Sequence, residues 1–389
     1  NTTEDGRWGA LASFSYSERT IVEEGFNPVR FDWGNGAGSA SNKTPAYGFC
    51  SPAGMTPQVP ANSSSTGASA ANCATGIPRP ANTPENVTAY KTATESWHPR
   101  YPGWRRQEYD LSRLGATGSI QFKPSDATTL SLDVLYSDYQ KDQREDTLGI
   151  NLHRTANLGG KTQIIVRQAE KDELNRLTYA VFDNVDLRSE SAMFEENTTF
   201  KQYSFTAEHD INDSTHIDAQ VGSSRSNYAR PINSLLTFDN TNLQGITWDA
   251  RDSFKTPKMT YGIDLTDPDN WKWLGLGSPA NSNISEVRIN PMYVNNSFDT
   301  FKTDLRHEFN DTFTLKGGVA FKTYTMESKE FRHVSYGATP QALPAGSSVA
   351  DLSDVLTGYG DGLNGAAPSA WLVPDFDKIA DLLGIYCNC

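Results

Sequence analysis

The chain has no long apolar run. Its mean hydropathy is −0.56, and no stretch approaches the roughly 20 apolar residues that a membrane-spanning helix needs. That excludes a helical bundle in a bilayer. It does not exclude a β-barrel wall, in which only every second residue meets lipid. Positive charge is also short: 34 Lys and Arg face 47 Asp and Glu, giving a net charge of −13 over 389 residues. This argues against a nucleic-acid partner, which needs a basic surface. Catalytic signatures are missing too. There is no Gly-x-Ser-x-Gly elbow, no His-Glu-x-x-His pair, and the 6 His are scattered. Gly34–Gly38 is Gly-rich but leads into neither a helix nor a phosphate-binding lysine, so it reads as a flexible loop. Asp361-Gly362 lacks the spaced carboxylates of a calcium hand and reads as a turn. No enzymatic activity, cofactor or metal site is expected.

Cysteine is sparse, at 4 residues. Cys50 and Cys73 share a loop whose main large apolar residues are Met55 and Val59. Such a segment cannot bury enough surface to offset its conformational entropy. A Cys50–Cys73 disulfide is therefore expected, stabilising by roughly 3 kcal/mol and implying an oxidising compartment. Cys387 and Cys389 would make a small, strained ring, and their pairing stays open. The Asn-x-Ser/Thr triplets at Asn42, Asn62, Asn86 and Asn283 read as compositional in an Asn- and Ser-rich chain.

What is present is alternation. Ser119–Phe122 runs into Pro124-Ser125-Asp126 and back out through Thr128–Tyr136. Ser204–Ile211 and Thr215–Gly222 flank Asn212-Asp213-Ser214, and Thr300–Phe309 and Phe313–Thr323 flank Asn310-Asp311-Thr312. With an opening strand from Arg7 to about Glu24, this makes about seven main strands. Between the hairpins lie long connections rich in Gly, Pro, Asn and Ser. Short turns at one end and long loops at the other are the asymmetry of an outer-membrane barrel. The strands run on into polar sequence such as Ser137–Glu145 and Tyr324–Arg332, well beyond the five or six residues usual in sandwiches. Phe122, Phe309 and Phe313 beside the turns, and Tyr136 and Tyr139 further up, sit where aromatic girdles belong.

The expected fold is all-β, part of a large antiparallel transmembrane barrel spanning 1–389. Two long extracellular loops are expected, 27–100 and 333–389. Both chain ends look cut, as in a piece of a longer polypeptide. Lys161–Phe182 reads as an extra hairpin. Ser347 is placed to cap a short helix through Val349, Leu352, Val355 and Leu356, and Asp375–Ile385 forms another.

The run from Trp104-Arg105-Arg106 through Arg113–Asp126 to Leu130–Ser137 resembles the barrel of TonB-dependent outer-membrane receptors of Gram-negative bacteria. Leu343–Ser348 and the closing Ile385–Cys389 are similar to long-loop members of that family. The resemblance implies an active transport receptor in the cell outer membrane, contacting lipid and lipopolysaccharide. It also implies a plug domain, not recognisable in this chain, through which the TonB complex supplies energy. The implied cargo is a ferric siderophore or similar chelate. An oligosaccharide importer of the same family is the main alternative, and a passive porin or a surface adhesin is another. Ligand-binding candidates are the loop aromatics and cations Trp97, Arg100, Tyr101, Trp104, Arg105, Arg106, Trp271, Trp273 and Trp371, which could stack on rings or hold anions. Asp133, Asp218, Lys302, Asp304, Arg306 and Lys316 alternate with lipid-type residues and are expected to face the lumen.

Overall fold

Each of the three polar turns closes a tight hairpin in the computed structural model. It describes residues 2–3, 6–33, 49–56, 58–59, 69–73, 76–152, 164–274, 285–332, 342–363 and 365–386. Cys387, Cys389, Gly34–Gly38 and the triplets at Asn42, Asn62 and Asn283 lie outside these residues. The Asn212 side chain accepts from Ser214 N at 3.0 Å. Asn310 accepts from Thr312 N at 3.0 Å and from Phe313 N at 2.9 Å. A side chain that mimics the turn's own hydrogen bonds is what Asn contributes at such positions.

In chain order the first elements are β1 (Trp8–Asn27), β2 (Phe31–Trp33), helix α1 (Pro84–Thr94), β3 (Trp97–Pro99), β4 (Gly103–Ser125) and β5 (Thr128–Asn151). Then come β6 (Ile165–Lys171), β7 (Leu177–Asp183), β8 (Val185–Asn212), β9 (Thr215–Leu243), β10 (Ile246–Asp249) and β11 (Lys258–Thr260). The chain continues with β12 (Val287–Ile289), β13 (Met292–Asn310), β14 (Phe313–Glu330), β15 (Ser353–Thr357), β16 (Ala370–Pro374) and helix α2 (Phe376–Leu383).

The protein is mostly β. The main sheet is antiparallel in the order β1-β4-β5-β8-β9-β13-β14, with the short β12 beside β9. These are the strands that the alternation picks out. They are long, reaching 28 residues in β8 and 29 in β9. Among the described residues the sheet stays open, with β1 and β14 as its edges.

Among the described residues the hydrophobic core lies at the end away from the short turns. Here the connections fold into a crown. A four-stranded sheet, β11-β10-β7-β6, contains the expected hairpin as β6 and β7. Helix α1 packs on β6. Thr83 caps it, accepting from Asn86 N at 3.3 Å, Pro84 occupies the first turn, and Ala89, Tyr90 and Ala93 are buried. Within 27–100 the described residues include β2, helix α1 and β3. Helix α2 forms where expected. Asp375 caps it through Lys378 N at 3.1 Å, and Gly384 ends it at φ 58°, a backbone state that glycine takes without strain. The helix expected after Ser347 does not form. A single 3-10 turn, Ala350–Leu352, gives way to strand β15, which pairs with β16 and so uses Val355 and Leu356 in a ladder.

Candidate functional site

Register fixes what each face of the main sheet carries. Trp8 on β1 pairs with Phe122, then Leu130, Ala207, Ala219, Thr303 and Val319. Ala10 pairs in line with Ile120, Leu132, Phe205, Val221, Phe301 and Phe321. One face is thus apolar across every long strand, and its large side chains are exposed, among them Phe14, Ile120, Leu132, Phe205, Val221 and Phe321.

This belt is not level with the hydrogen-bond register. Its upper limit on β1 is Tyr16, which lines up through Leu114, Asp138, Thr199, Asn227 and Asn295 with Glu327 on β14. On β14, however, the belt stops at Phe321. Its lower limit moves the same way, from Trp8 on β1, in line with Val319, down to Phe313. Both limits slide by about one residue per strand. With a rise of about 3.3 Å per residue and about 4.8 Å between strands, a level belt requires strands tilted by about 35°. On both edge strands the belt is about nine residues tall, some 22 Å along its normal after tilt, and on β9 it narrows to Ile217, Ala219 and Val221.

Aromatics mark the lower rim. Trp8 stacks on Phe122 with ring centroids 4.1 Å apart, and Phe309 meets Phe313 at 5.3 Å. Two histidines interrupt it: His209 shares a 2.9 Å hydrogen bond with Thr128 Oγ1, and His307 one of 2.8 Å with Thr215 Oγ1. Tyr16, Tyr136 and Tyr203 mark the upper rim. Tyr139 is not among them. It lies an odd number of residues from Tyr136 and pairs with Arg113 on the opposite face.

That opposite face is polar. Ser13 bonds Thr117 at 2.6 Å, and Gln220 donates to Ser204 at 3.0 Å. Asp133, Asp218, Lys302, Asp304, Arg306 and Lys316 all fall on it: Asp133 pairs with Ser204, Asp218 with Asp304, Lys302 with Gln220, and Arg306 with Lys316. Lys302 pairs ionically with Asp304, and Arg306 with Glu308. Leu11 and Leu135 are apolar exceptions on this side.

The crown distributes the aromatic candidates unevenly. Trp104, Trp271 and Trp371 are buried. Trp371, Tyr359, Trp104 and Phe26 form a chain of rings with centroids 4.7, 6.3 and 5.5 Å apart. Tyr359 Oη donates to the carbonyls of Gly25 at 2.9 Å and Arg105 at 3.1 Å, tying the last connection to β1 and β4. Trp271 donates its indole N–H to the Leu265 carbonyl at 3.0 Å, and Trp273 packs on Phe238. Arg105 pairs with Glu145 at 3.1 Å, and Arg106 with Glu108 at 2.7 Å. As placed, these groups hold the crown together.

Tyr101 belongs to a buried network that sequence reading did not find. Its hydroxyl donates to Glu190 at 3.2 Å. Arg188 contacts Asp239 at 2.8 Å, Glu286 at 3.3 Å and Glu190 at 3.7 Å, and Ser285 donates to Asp239 at 2.9 Å. Burial pushes the Glu190 carboxyl above its ordinary range, with Arg188 opposing. Burial also acts on Glu286, but Arg188 and Arg288 outweigh it and hold that carboxyl low. One guanidinium among three carboxylates is stable only while all contacts persist. The sequence carries no local signal for it, because its members come from four distant segments.

Cys50 and Cys73 form a disulfide, Cα–Cα 5.9 Å, at the crown end. Arg79 clamps the loop they close. Its guanidinium donates to the carbonyls of Val59 at 2.6 Å and Ser51 at 3.3 Å, and through Nε to Ser69 at 3.0 Å.

The β2–β3 ribbon carries Trp33 and Trp97 on one face and Asp32, with Arg30 and Arg100, on the other. Trp97, 44% exposed, meets Trp33 edge to face at 5.4 Å. Asp32 lies between two guanidiniums, 2.8 Å from Arg30 and 3.8 Å from Arg100. Val29 leads into the ribbon at φ 59°. A β-branched residue in the left-handed region carries strain of about 1–2 kcal/mol. The neighbourhood holds it there: Val29 N donates to Asn27 Oδ1 at 2.7 Å, and Arg100 N to the Arg30 carbonyl at 2.8 Å. Of these residues, sequence reading singled out Trp97 and Arg100. It passed over Trp33, Asp32 and Arg30 because they border Gly-rich sequence.

No protein-family model matches the chain, and neither a curated protein nor a solved structure does.

Proposed function

We propose that this chain is barrel wall and extracellular crown of an outer-membrane active transport receptor of the TonB-dependent type. The observation that carries the reading is the belt: an exposed apolar face shared by every long strand, about nine residues tall on both edge strands, whose limits slide by some six residues across the register from β1 to β14. A bilayer's hydrocarbon layer has one thickness everywhere, so strands crossing it at a tilt must carry such a sliding belt. The polar face then lines the lumen, with Asp133, Asp218, Lys302, Asp304, Arg306 and Lys316 toward a plug or a passing solute. The crown sits outside the cell, where the Cys50–Cys73 bridge has the oxidising surroundings it needs. TonB would act through a plug domain on the same polypeptide.

The cargo is captured at the crown. Ferric chelate and oligosaccharide are the two classes to separate. The Trp33–Trp97 pair, in which Trp97 is exposed and Trp33 half-buried, favours the oligosaccharide, since indole faces stack on sugar rings. The test is fractionation followed by uptake. The chain should sediment with outer membranes and leave them only in detergent, and uptake should stop when the proton gradient is collapsed. Release by alkaline carbonate alone would refute the membrane reading. Uptake that survives collapse of the gradient would refute active transport.

A further inference from the structure

We infer that Arg19, Arg113, Tyr139 and Phe200 form a binding site for a sugar phosphate on the polar face of the main sheet, below the crown; its role in import rests on the transport reading. Charge is the first observation. Asp and Glu outnumber Lys and Arg by 47 to 34, so cations in this chain find partners easily. Yet among the described residues the guanidiniums of Arg19 and Arg113 have no ion pair, hydrogen bond or ring contact. Lys141, on the same face, is already held by Glu196 at 3.2 Å. The two arginines are neighbours. Ser17 pairs with Arg113 and Arg19 with Leu111, so Arg19 and Arg113 are diagonal partners on one face, about 7–8 Å apart at the backbone. Two like charges so placed repel each other, and an anion between them turns that repulsion into attraction.

The second observation is a wall of rings beside the charges. Arg113 pairs with Tyr139, and Tyr139 with Thr198. One step toward the turns, Ser137 pairs with Phe200, and Phe200 with Ser226. These six side chains share the polar face and line one depression of about 490 Å³. Small-molecule sites measure roughly 300–1,000 Å³. The half-buried rings of Tyr139 and Phe200 suit the C–H face of a sugar, and the three hydroxyl side chains suit its hydroxyls. A phosphate monoester has oxygens enough to bridge two guanidinium forks, which a neutral sugar would leave unused.

Height is the third. Arg19, Arg113, Tyr139 and Phe200 each stand three residues toward the crown from Tyr16, Ala116, Tyr136 and Tyr203 of the belt face. Phe298 and Tyr324 stand in the same relation to Phe301 and Phe321. A level belt makes this row level too, about 8 Å above it. None of these rings belongs to the crown core. A solute leaving the crown would meet the cations and the rings at one height.

The test is calorimetric titration of the full chain in detergent with glucose 6-phosphate, glucuronate, glucose and inorganic phosphate. Glucose 6-phosphate should bind at least tenfold more tightly than glucose or inorganic phosphate, and more tightly than glucuronate, whose carboxylate fills one fork. Arg113→Gln and Arg19→Gln should each weaken it at least fivefold. Phe200→Ala should weaken glucose 6-phosphate and leave inorganic phosphate unchanged. Arg225→Ala, on the other face and paired with Asp299 at 3.0 Å, should change nothing. An unchanged melting temperature shows that the exposed arginine variants are folded. Equal affinity for glucose 6-phosphate and glucose overturns the inference, as does binding unchanged in both arginine variants, or no binding of any probe. Glucuronate that matches glucose 6-phosphate overturns phosphate as the recognised group. If cells import another cargo through the chain and glucose 6-phosphate does not bind, this site is wrong and transport stands. If it binds but the chain leaves the membrane without detergent, the site stands and transport falls.

Discussion

His98 shows how much a single buried side chain matters in the crown. It is buried in β3, its ring 5.2 Å from Phe49 and its Nδ1 3.0 Å from the Pro99 carbonyl. Burial lowers its affinity for a proton, against the pull of Pro99 and Asp32. The folded chain therefore keeps this imidazole neutral, whereas the unfolded chain takes a proton near pH 6.5, about the ordinary value. Below that pH the unfolded state binds more protons and stability falls. The crown should melt at a lower temperature at pH 5.5 than at pH 7.5. His98→Gln should show a smaller drop between the two, measured by near-ultraviolet dichroism. An equal drop in both proteins would place the acid sensitivity elsewhere.

At the scale of elements, the two faces of a strand should respond oppositely to the same charge. Leu132→Lys puts an ammonium in the middle of the belt and should destabilise the protein in lipid vesicles by about 2–4 kcal/mol. Ser131→Lys, one residue away on the polar face, should change stability by less than about 0.5 kcal/mol. Denaturant unfolding in vesicles reads both, and equal effects would mean that the belt does not meet hydrocarbon. The faces were legible because a strand has a period of two, and a short stretch such as Leu130, Leu132, Val134 declares its side at once. Helix α1 was not. Thr83-Pro84-Glu85 is a sound start signal, but the apolar positions beyond it are too few to show a helical stripe. The segment after Ser347 misled for the opposite reason. Val349, Leu352 and Leu356 have helical spacing, yet Leu356 pairs with Trp371 in β15–β16. Long-range pairing is invisible to local periodicity. The same limit hid the burial of Trp104 and Trp371, since an isolated Trp in a loop gives no sign of which neighbours will cover it.

The whole molecule has two kinds of stability. The crown has a conventional core, with Trp104, Leu148, Leu187 and Phe238 fully enclosed. The lower sheet has none, because both its faces are open and its order comes from ladder hydrogen bonds. The sliding belt fixes how such a sheet must sit in a layer. In oriented bilayers, polarised infrared spectra of the amide band should give strands inclined by about 35° to the membrane normal. An inclination under about 15° would contradict the slope read from the register.

Strand order has a further consequence, for variation and not for structure. In the main sheet every long strand lies beside the next long strand in the chain. The crown segments between β5 and β8, or between β9 and β13, therefore begin and end on adjacent strands, whatever their length. Closing a flexible loop costs only about 0.6 kcal/mol more for each doubling of its length. Crown segments can be lengthened with little penalty to the sheet beneath. For engineering, insertions between Asn151 and Val185 or between Leu243 and Met292 are the natural choice, provided that Ser285 and Glu286 keep their contacts to Asp239 and Arg188.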